Sequence, residues 1–355
     1  MSWADSTSCP SPTPEPMHVT EGGVSMEGRE LPAGCSPSAY EAGTRFRPAT
    51  FASRFELLNR LDPHFASVWL NYTGGLLERP HLDVRTRLLI LVGQHTMLKD
   101  GPALRDTMEA VVAAGVDLKE ALEVVFQCWL YAGDSTMGQA VEIFVDVVSR
   151  AGRLSEVEAR GLPHDVATRD RDLEAERETW SPDDRDDPRL PGLLERYGWH
   201  APSAGLRLRP GNHINVLSTF DALDRGFAKL WVDKSYGAMY VRDVLDGKTR
   251  LLCMVGDCLA IAESHNASRH MRGALRQGAT AAEVFEVIVQ SFAVIGSPTL
   301  AGLAIDDFVL VLDGEGRLAE LVGEEQEAMV RKVVNARRAR RGGVTETTAA
   351  DGQVT

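Results

Sequence analysis

Aromatic residues make up only 6% of this 355-residue chain, and cysteine occurs five times. Strands favour aromatic and β-branched side chains, and Ala, Leu, Val, Asp and Arg are abundant, so the balance points to helices rather than an all-β sandwich. Cys9, Cys35, Cys128, Cys253 and Cys258 form an odd, irregularly spaced set. That excludes a disulfide framework and is expected of a reducing, cytoplasmic setting. Positive charge is also short: 38 Lys and Arg against 51 Asp and Glu leave a formal charge of −13. Phosphate backbones need clustered cations, so no nucleic-acid partner is expected. No uninterrupted apolar run approaches the roughly 18 residues of a membrane span. Met1 to Gly23 lacks the basic and apolar regions of a secretory signal. A Rossmann glycine pattern, a P-loop and a His-Glu-x-x-His motif are all missing, so the expectation is no cofactor and no metal.

What is present is ordinary globular material, 44% hydrophobic and 25% charged, in a length that suits two domains or one large one. Residues 1–44 are rich in Ser, Pro, Gly and Glu and read as a disordered arm. Two apolar, helix-patterned regions follow, within 45–160 and 213–325. Between them, 161–212 reads as a charged linker: Arg169 to Arg189 holds nine acids and five arginines, with Leu173 and Trp180 almost the only apolar residues. Residues 326–355 read as a helix turning basic at Arg337, Arg338, Arg340 and Arg341, then a loose tail.

The strongest signal is self-similarity. At a shift of 163, residues 85–138 fall on 248–301 without a gap. Thr86-Arg87-Leu88-Leu89 lands on Thr249-Arg250-Leu251-Leu252, Val92-Gly93 on Val255-Gly256, Glu123-Val124 on Glu286-Val287, and Gly133 on Gly296. A shift of 162 extends the match upstream, with Leu61-Asp62 on Leu223-Asp224, Phe65-Ala66 on Phe227-Ala228 and Trp69 on Trp231. A shift of 164 carries Gly152-Arg153-Leu154 onto Gly316-Arg317-Leu318. The reading is two tandem copies of a unit of about 110 residues.

Each copy patterns as helices. Residues 250–262 carry a helical stripe, and the run from 266 to 277 ends at Gly278, a C-cap residue type. Thr280-Ala281-Ala282-Glu283 is a capping box, matched by Asp117-Leu118-Lys119-Glu120 in the first copy. No hairpin or alternating strand signal occurs, so the expected fold class is all-α.

These motifs, in this order, resemble the carboxymuconolactone decarboxylase family, which includes the alkyl hydroperoxidase D-like proteins. The resemblance rests on Lys248-Thr249-Arg250-Leu251-Leu252, the run His270 to Gly278, Thr280 to Glu286 and Gly296-Ser297-Pro298, and in the first copy on Arg85 to Leu89, Gly115, Glu120, Glu123 and Tyr131-Ala132-Gly133. It implies an all-α protomer assembling as trimers or hexamers, here as a trimer of pseudo-dimers.

The peroxidase branch of that family resembles a Cys-x-x-Cys-x-x-x-His helix. The matching positions here are Glu263, Asn266 and His270, and in the first copy Asp100, Ala103 and Thr107. Neither copy has the thiol pair. Glu263, Asn266 and His270 are spaced i, i+3, i+7, within about 60° of helix arc, so carboxylate, amide and imidazole share one face. Such a set moves protons and holds oxyanions, and the His matches the one to which the resemblance assigns acid–base work. His270, Glu263 and Asn266 are the catalytic candidates; the other reading is a solvent-facing helix side. Arg87 and Arg250 either hold a substrate carboxylate bidentately or form a buried ion pair with Glu123 or Glu286. Trp231 is core or pocket wall, and Cys128 reads as core. With the His replaced by Thr107 in the first copy, the second is expected to hold the site and the first to support it. The expected activity is a cofactor-independent lyase acting on a small lactone or enolisable acid. The alternatives are a thiol-dependent hydroperoxide reductase and a non-catalytic binding or assembly protein.

Overall fold

The computed structural model describes residues 31–158, 173–242, 244–296 and 298–350. Among the described residues there are nineteen α-helices and no strand. The first seven are α1 (Pro37–Phe46), α2 (Phe51–Leu61), α3 (Pro63–Leu77), α4 (Val84–Met97), α5 (Gly101–Ala113), α6 (Leu118–Gln127) and α7 (Trp129–Arg150). Short helices α8 (Leu173–Glu178), α9 (Pro182–Arg185), α10 (Leu190–Tyr197) and α11 (His200–Leu208) follow. Then come α12 (His213–Leu223), α13 (Arg225–Val232), a π-helical segment Asp233–Tyr240, α14 (Gly247–Ala260), α15 (Ser264–Arg276), α16 (Ala281–Val294), α17 (Pro298–Gly314), α18 (Leu318–Val322) and α19 (Glu324–Ala350).

Local chemistry explains where the central helices start. Asp83 and Asp246 cap α4 and α14, each accepting from the N–H of the Thr three residues on, Thr86 at 2.9 Å and Thr249 at 2.8 Å. Thr280 and Glu283 form the expected capping box of α16. The first half departs from this: Asp117 caps α6 through the Lys119 N–H, while Glu120 turns away to a two-pronged pair with Arg85 at 2.7 and 2.5 Å. The capping box expected at Asp117–Glu120 therefore does not form, because a guanidinium competes for the carboxylate.

Helices α4 and α14 are almost wholly buried and pack on each other at the centre of the largest core. Gly93 and Gly256 make this close approach possible. A Cβ at Gly93 would lie 2.0 Å from the Asp257 carboxylate, and one at Gly256 2.8 Å from Ile90. Two ion-pair clusters flank the crossing. Arg87 on α4 and Arg79 reach Glu286 on α16, at 3.1 and 2.9 Å. Arg250 on α14 and Arg242 reach Glu123 on α6, at 2.8 and 2.7 Å. Each buried arginine thus crosses to the other half of the chain for its counter-charge.

Three boundaries differ from the sequence reading. Within 1–44, residues 1–30 lie outside the described residues, but α1 buries Ala39, Ala42, Gly43 and Phe46. Within 161–212, residues 161–172 lie outside them, and the remainder is no simple linker: Trp180, Leu190, Leu193 and Leu206 form a core with Leu217 and Val232. Trp180 lies between α8 and α9, Leu190 and Leu193 on α10 and Leu206 on α11, so no long periodic stripe announces them. The C-terminal helix runs on to Ala350, past the start of the expected loose tail.

Candidate active site

Helix α15 starts at Glu263, whose carboxylate accepts from the Asn266 N–H at 3.3 Å. Glu263 is therefore the N-cap of the helix that carries His270. Two turns on, the His270 side chain is fully buried, with 0% exposure. Its Nε2 lies 2.5 Å from the Tyr131 hydroxyl, the two rings meeting edge to face at 5.9 Å. The proton in this contact sits on oxygen or nitrogen according to the imidazole tautomer. His270 Nδ1 is buried without a partner.

Tyr131 comes from the other half of the chain, and a glycine puts it there. Helix α7 breaks at Gly133, where φ is 76° and ψ 179°. This is a conformation open in practice only to glycine. The break turns the Tyr131-Ala132 elbow onto α15. Tyr131 is half-buried as a residue, with its hydroxyl deeply buried against the imidazole.

Around the pair lie Cys258, Tyr240, Tyr236, Arg209 and Asn266. Arg209 donates to the Asn266 side-chain oxygen at 2.9 Å and to the Tyr236 hydroxyl at 3.4 Å. Tyr236 and Tyr240 stack at 5.0 Å, and the buried Tyr240 hydroxyl faces that of Tyr131. Burial holds the His270 imidazole well below its ordinary pKa, and the charges of Arg209 and Arg269 push the same way. The ring is thus a neutral base or hydrogen-bond group at neutral pH. Burial pushes the Tyr131 phenol up, so it is a neutral donor.

The other expected residues are elsewhere. Arg87 and Arg250 are each 1% exposed and belong to the central ion pairs. Of the two open readings, the geometry fits the ion pair. Arg87 borders a cleft of about 290 Å³ with Phe46, Arg79 and Pro80, but its two Nη atoms are occupied by Glu286, Gln290 and the Leu76 and Arg79 carbonyls. Trp231 packs on His213 at 5.8 Å and on Tyr236 at 5.1 Å, one layer behind the site. His213 is fully buried and its ring nitrogens have no partner.

The equivalent place in the first half holds different chemistry. Thr107 stands at the position of His270 and bonds His95 Nδ1 at 3.0 Å. Val294 stands at the position of Tyr131. A cavity of about 30 Å³ beside His95 has room for one water.

Cys128, Cys253 and Cys258 are buried and free, and burial pushes each thiol well above its ordinary pKa. A peroxidatic cysteine needs the opposite, an exposed thiolate. Among the described residues no three His, Cys, Asp or Glu side chains cluster as metal ligands, and no helix is long and apolar enough to cross a membrane.

Two site residues went unassigned in the sequence. Tyr131 belongs to a recognised motif, but nothing local shows that it crosses to His270. Arg209 lies in the expected linker. Its signal was a further recurrence, Ala42-Gly43-Thr44-Arg45-Phe46-Arg47-Pro48 against Ala204-Gly205-Leu206-Arg207-Leu208-Arg209-Pro210, at the shift of 162.

A model of the carboxymuconolactone decarboxylase family matches residues 225–305, a span that includes His270. An uncharacterized 15.0 kDa protein of Paracoccus denitrificans, in the nqo9–nqo10 intergenic region, is 31% identical over 109 residues, which is 30% of this chain and 81% of that protein.

Proposed function

The chain belongs to the carboxymuconolactone decarboxylase family, and on that premise we propose that it is a cofactor-independent acid–base lyase acting on a small lactone or enolisable carboxylic acid. The observation that carries this reading is the 2.5 Å contact between Tyr131 and His270. A neutral imidazole against a buried neutral phenol makes a hydrogen-bonded acid–base pair. As the carbon–carboxylate bond breaks, CO2 leaves and its electron pair enters the conjugated ring. Tyr131, oriented by the unprotonated His270 Nε2, passes its proton to the resulting carbanionic carbon, and the phenolate takes one back from water as the product leaves. Asn266 and Tyr240 are the neutral polar groups nearby, suited to an enolate oxygen. In this reading the two halves of the chain are copies of one unit; the second supplies the base and the first the phenol.

The test is turnover of unsaturated γ-lactone acids in D2O, followed by NMR for loss of CO2 and for deuterium at carbon. Correctly placed acid–base groups contribute about 10²- to 10⁴-fold. His270→Gln should therefore lower kcat by that factor with helicity unchanged, and Tyr131→Phe should also lower it. Because the imidazole is held below its usual range, the rate should stay flat from pH 8 to 6. An unaltered rate in His270→Gln would sink the reading.

The chain is further proposed to assemble as a trimer. Leu61, Phe65 and Val68 on α2 and α3 are 74, 53 and 53% exposed, and Leu223, Phe227 and Leu230 on α12 and α13 are 80, 49 and 70% exposed. Two unpartnered apolar patches at matching positions suit neighbours joined patch to patch in a closed ring. Leu61→Asp with Leu223→Asp should convert the assembly to the 38.8 kDa single chain, as read by light scattering after size exclusion.

A further inference from the structure

The His270 site has an uncompensated positive edge. Arg209 ends α11, and its buried Nε has no partner. Among the described residues its hydrogen bonds go to the neutral Asn266 and Tyr236. A desolvated guanidinium without a counter-charge is costly unless something else supplies one.

The first half differs in its acids. At the 162-residue shift, Arg209 corresponds to Arg47, whose surroundings hold the acids Asp106 and Asp100 as well as Arg54. Asp106 is 1% exposed and accepts from the Ala49 and Thr50 N–H groups at the foot of α2. At the 163-residue shift, Asp106 corresponds to Arg269 and Asp100 to Glu263. The inner acid has thus become a second arginine. Arg209 and Arg269 now act against each other, and Glu263 is the acid that remains, already holding the α15 N-terminus. Both cations bear on His270, whose Nδ1 is another unpartnered buried atom there.

We propose that Arg209 and Arg269 form a carboxylate-binding edge of the His270 site, which takes a small monocarboxylate whose two oxygens supply the counter-charge that Asp106 supplies in the first half. This rests on the acid–base reading for its place in catalysis, but not for the binding itself. A bound carboxylate meets the guanidinium fork in the geometry such pairs favour. It also offsets the positive charge acting on the imidazole, so binding strengthens the base that the ligand will use.

The experiment is calorimetric titration of the full chain at pH 7 with acetate, propionate and benzoate, each against its neutral amide. The expected result is saturable binding of at least one carboxylate, at least tenfold tighter than its amide. Arg209→Gln and Arg269→Gln should each weaken that binding tenfold or more, and Arg209→Lys, which keeps the charge without the fork, by less. Arg105→Gln, whose partner is the half-exposed Asp146, should leave it unchanged. Equal affinity for acid and amide, no binding of any of the three acids, or full binding in folded Arg269→Gln would overturn the proposal. The acid–amide comparison decides even where Arg209→Gln fails to fold. Arginine-dependent carboxylate binding by a wild-type chain that turns over none of the lactone acids overturns the acid–base reading alone. Activity with Arg209-independent binding overturns the present inference alone.

Discussion

Replacing Glu286 by Leu should cost about 3–5 kcal/mol of stability, the cost of removing one partner of a buried ion pair. Glu286 is 0% exposed, and it satisfies both Arg87, at 1%, and Arg79. Without it, Arg79 can turn to solvent, but Arg87 is left charged inside the core with only Gln290 and two carbonyls. Glu123→Leu should act alike through Arg250, whose Nη1 already lacks a partner. Domains of this kind are stable by about 5–15 kcal/mol in total, so the double variant should be unfolded, or close to it, at 25 °C. Urea denaturation followed by circular dichroism measures this. Changing both partners, Arg87→Met with Glu286→Leu, should recover much of the loss, since an apolar pair leaves no stranded charge. A cost under about 1 kcal/mol for either single variant would show that the pair is reached by water.

Acidification should be the second large effect. Burial holds His95 at about 4, His213 at about 3 and His270 well below 6.5. In the unfolded chain each takes up a proton below its ordinary value of 6.5, while in the folded protein it does not, so stability falls as pH drops through that range. Asp257 works the other way. Burial pushes its carboxyl up to about 8 from 3.8, against the pull of the Gln127 amide. The folded state therefore keeps a proton that the unfolded chain releases above 3.8, and stability declines as pH rises from there to 8. Between pH 6.5 and 4.5 the unfolded state binds three more protons through the histidines and one fewer through Asp257. A net two protons at about 1.4 kcal/mol per pH unit gives a loss on the order of 5 kcal/mol. From pH 6.5 to 8 Asp257 alone removes about 2 kcal/mol. Stability should peak near pH 6.5, and Asp257→Asn should flatten the alkaline side while leaving the acid side steep. Thermal melts across pH 4.5 to 8 check both limbs, and a symmetric profile in the Asn variant would contradict the assignment.

Much of the fold was legible in the sequence because helices are local. The Thr280–Glu283 capping box announces where a chain of i→i+4 bonds begins, and it forms as expected. Failure came where a side chain had a choice of partner. Glu120 has the spacing of a capping box and pairs with Arg85 instead. Arg87 was open between substrate and ion pair, and spacing could not show that Glu286, in the other half, would close on it. Glu263 and Asn266 share a helix face with His270, as their spacing requires, but Glu263 is engaged by the α15 N-terminus and Asn266 by Arg209.

The sequence by itself determined an acidic, helical protein with a motif recurring at 163 residues and a single histidine at the position that matters. Composition, periodicity and caps are near-neighbour properties, and one chain of letters carries them in full. Only the tertiary structure decided what faces that histidine. Tyr131 lies 139 residues away and Arg209 61 away, and no periodicity links such distances. It takes the glycine break in α7 and the crossing of α4 over α14 to bring one phenol onto one imidazole. Of the scarce cysteines, Cys128, Cys253 and Cys258 are buried thiols in the core.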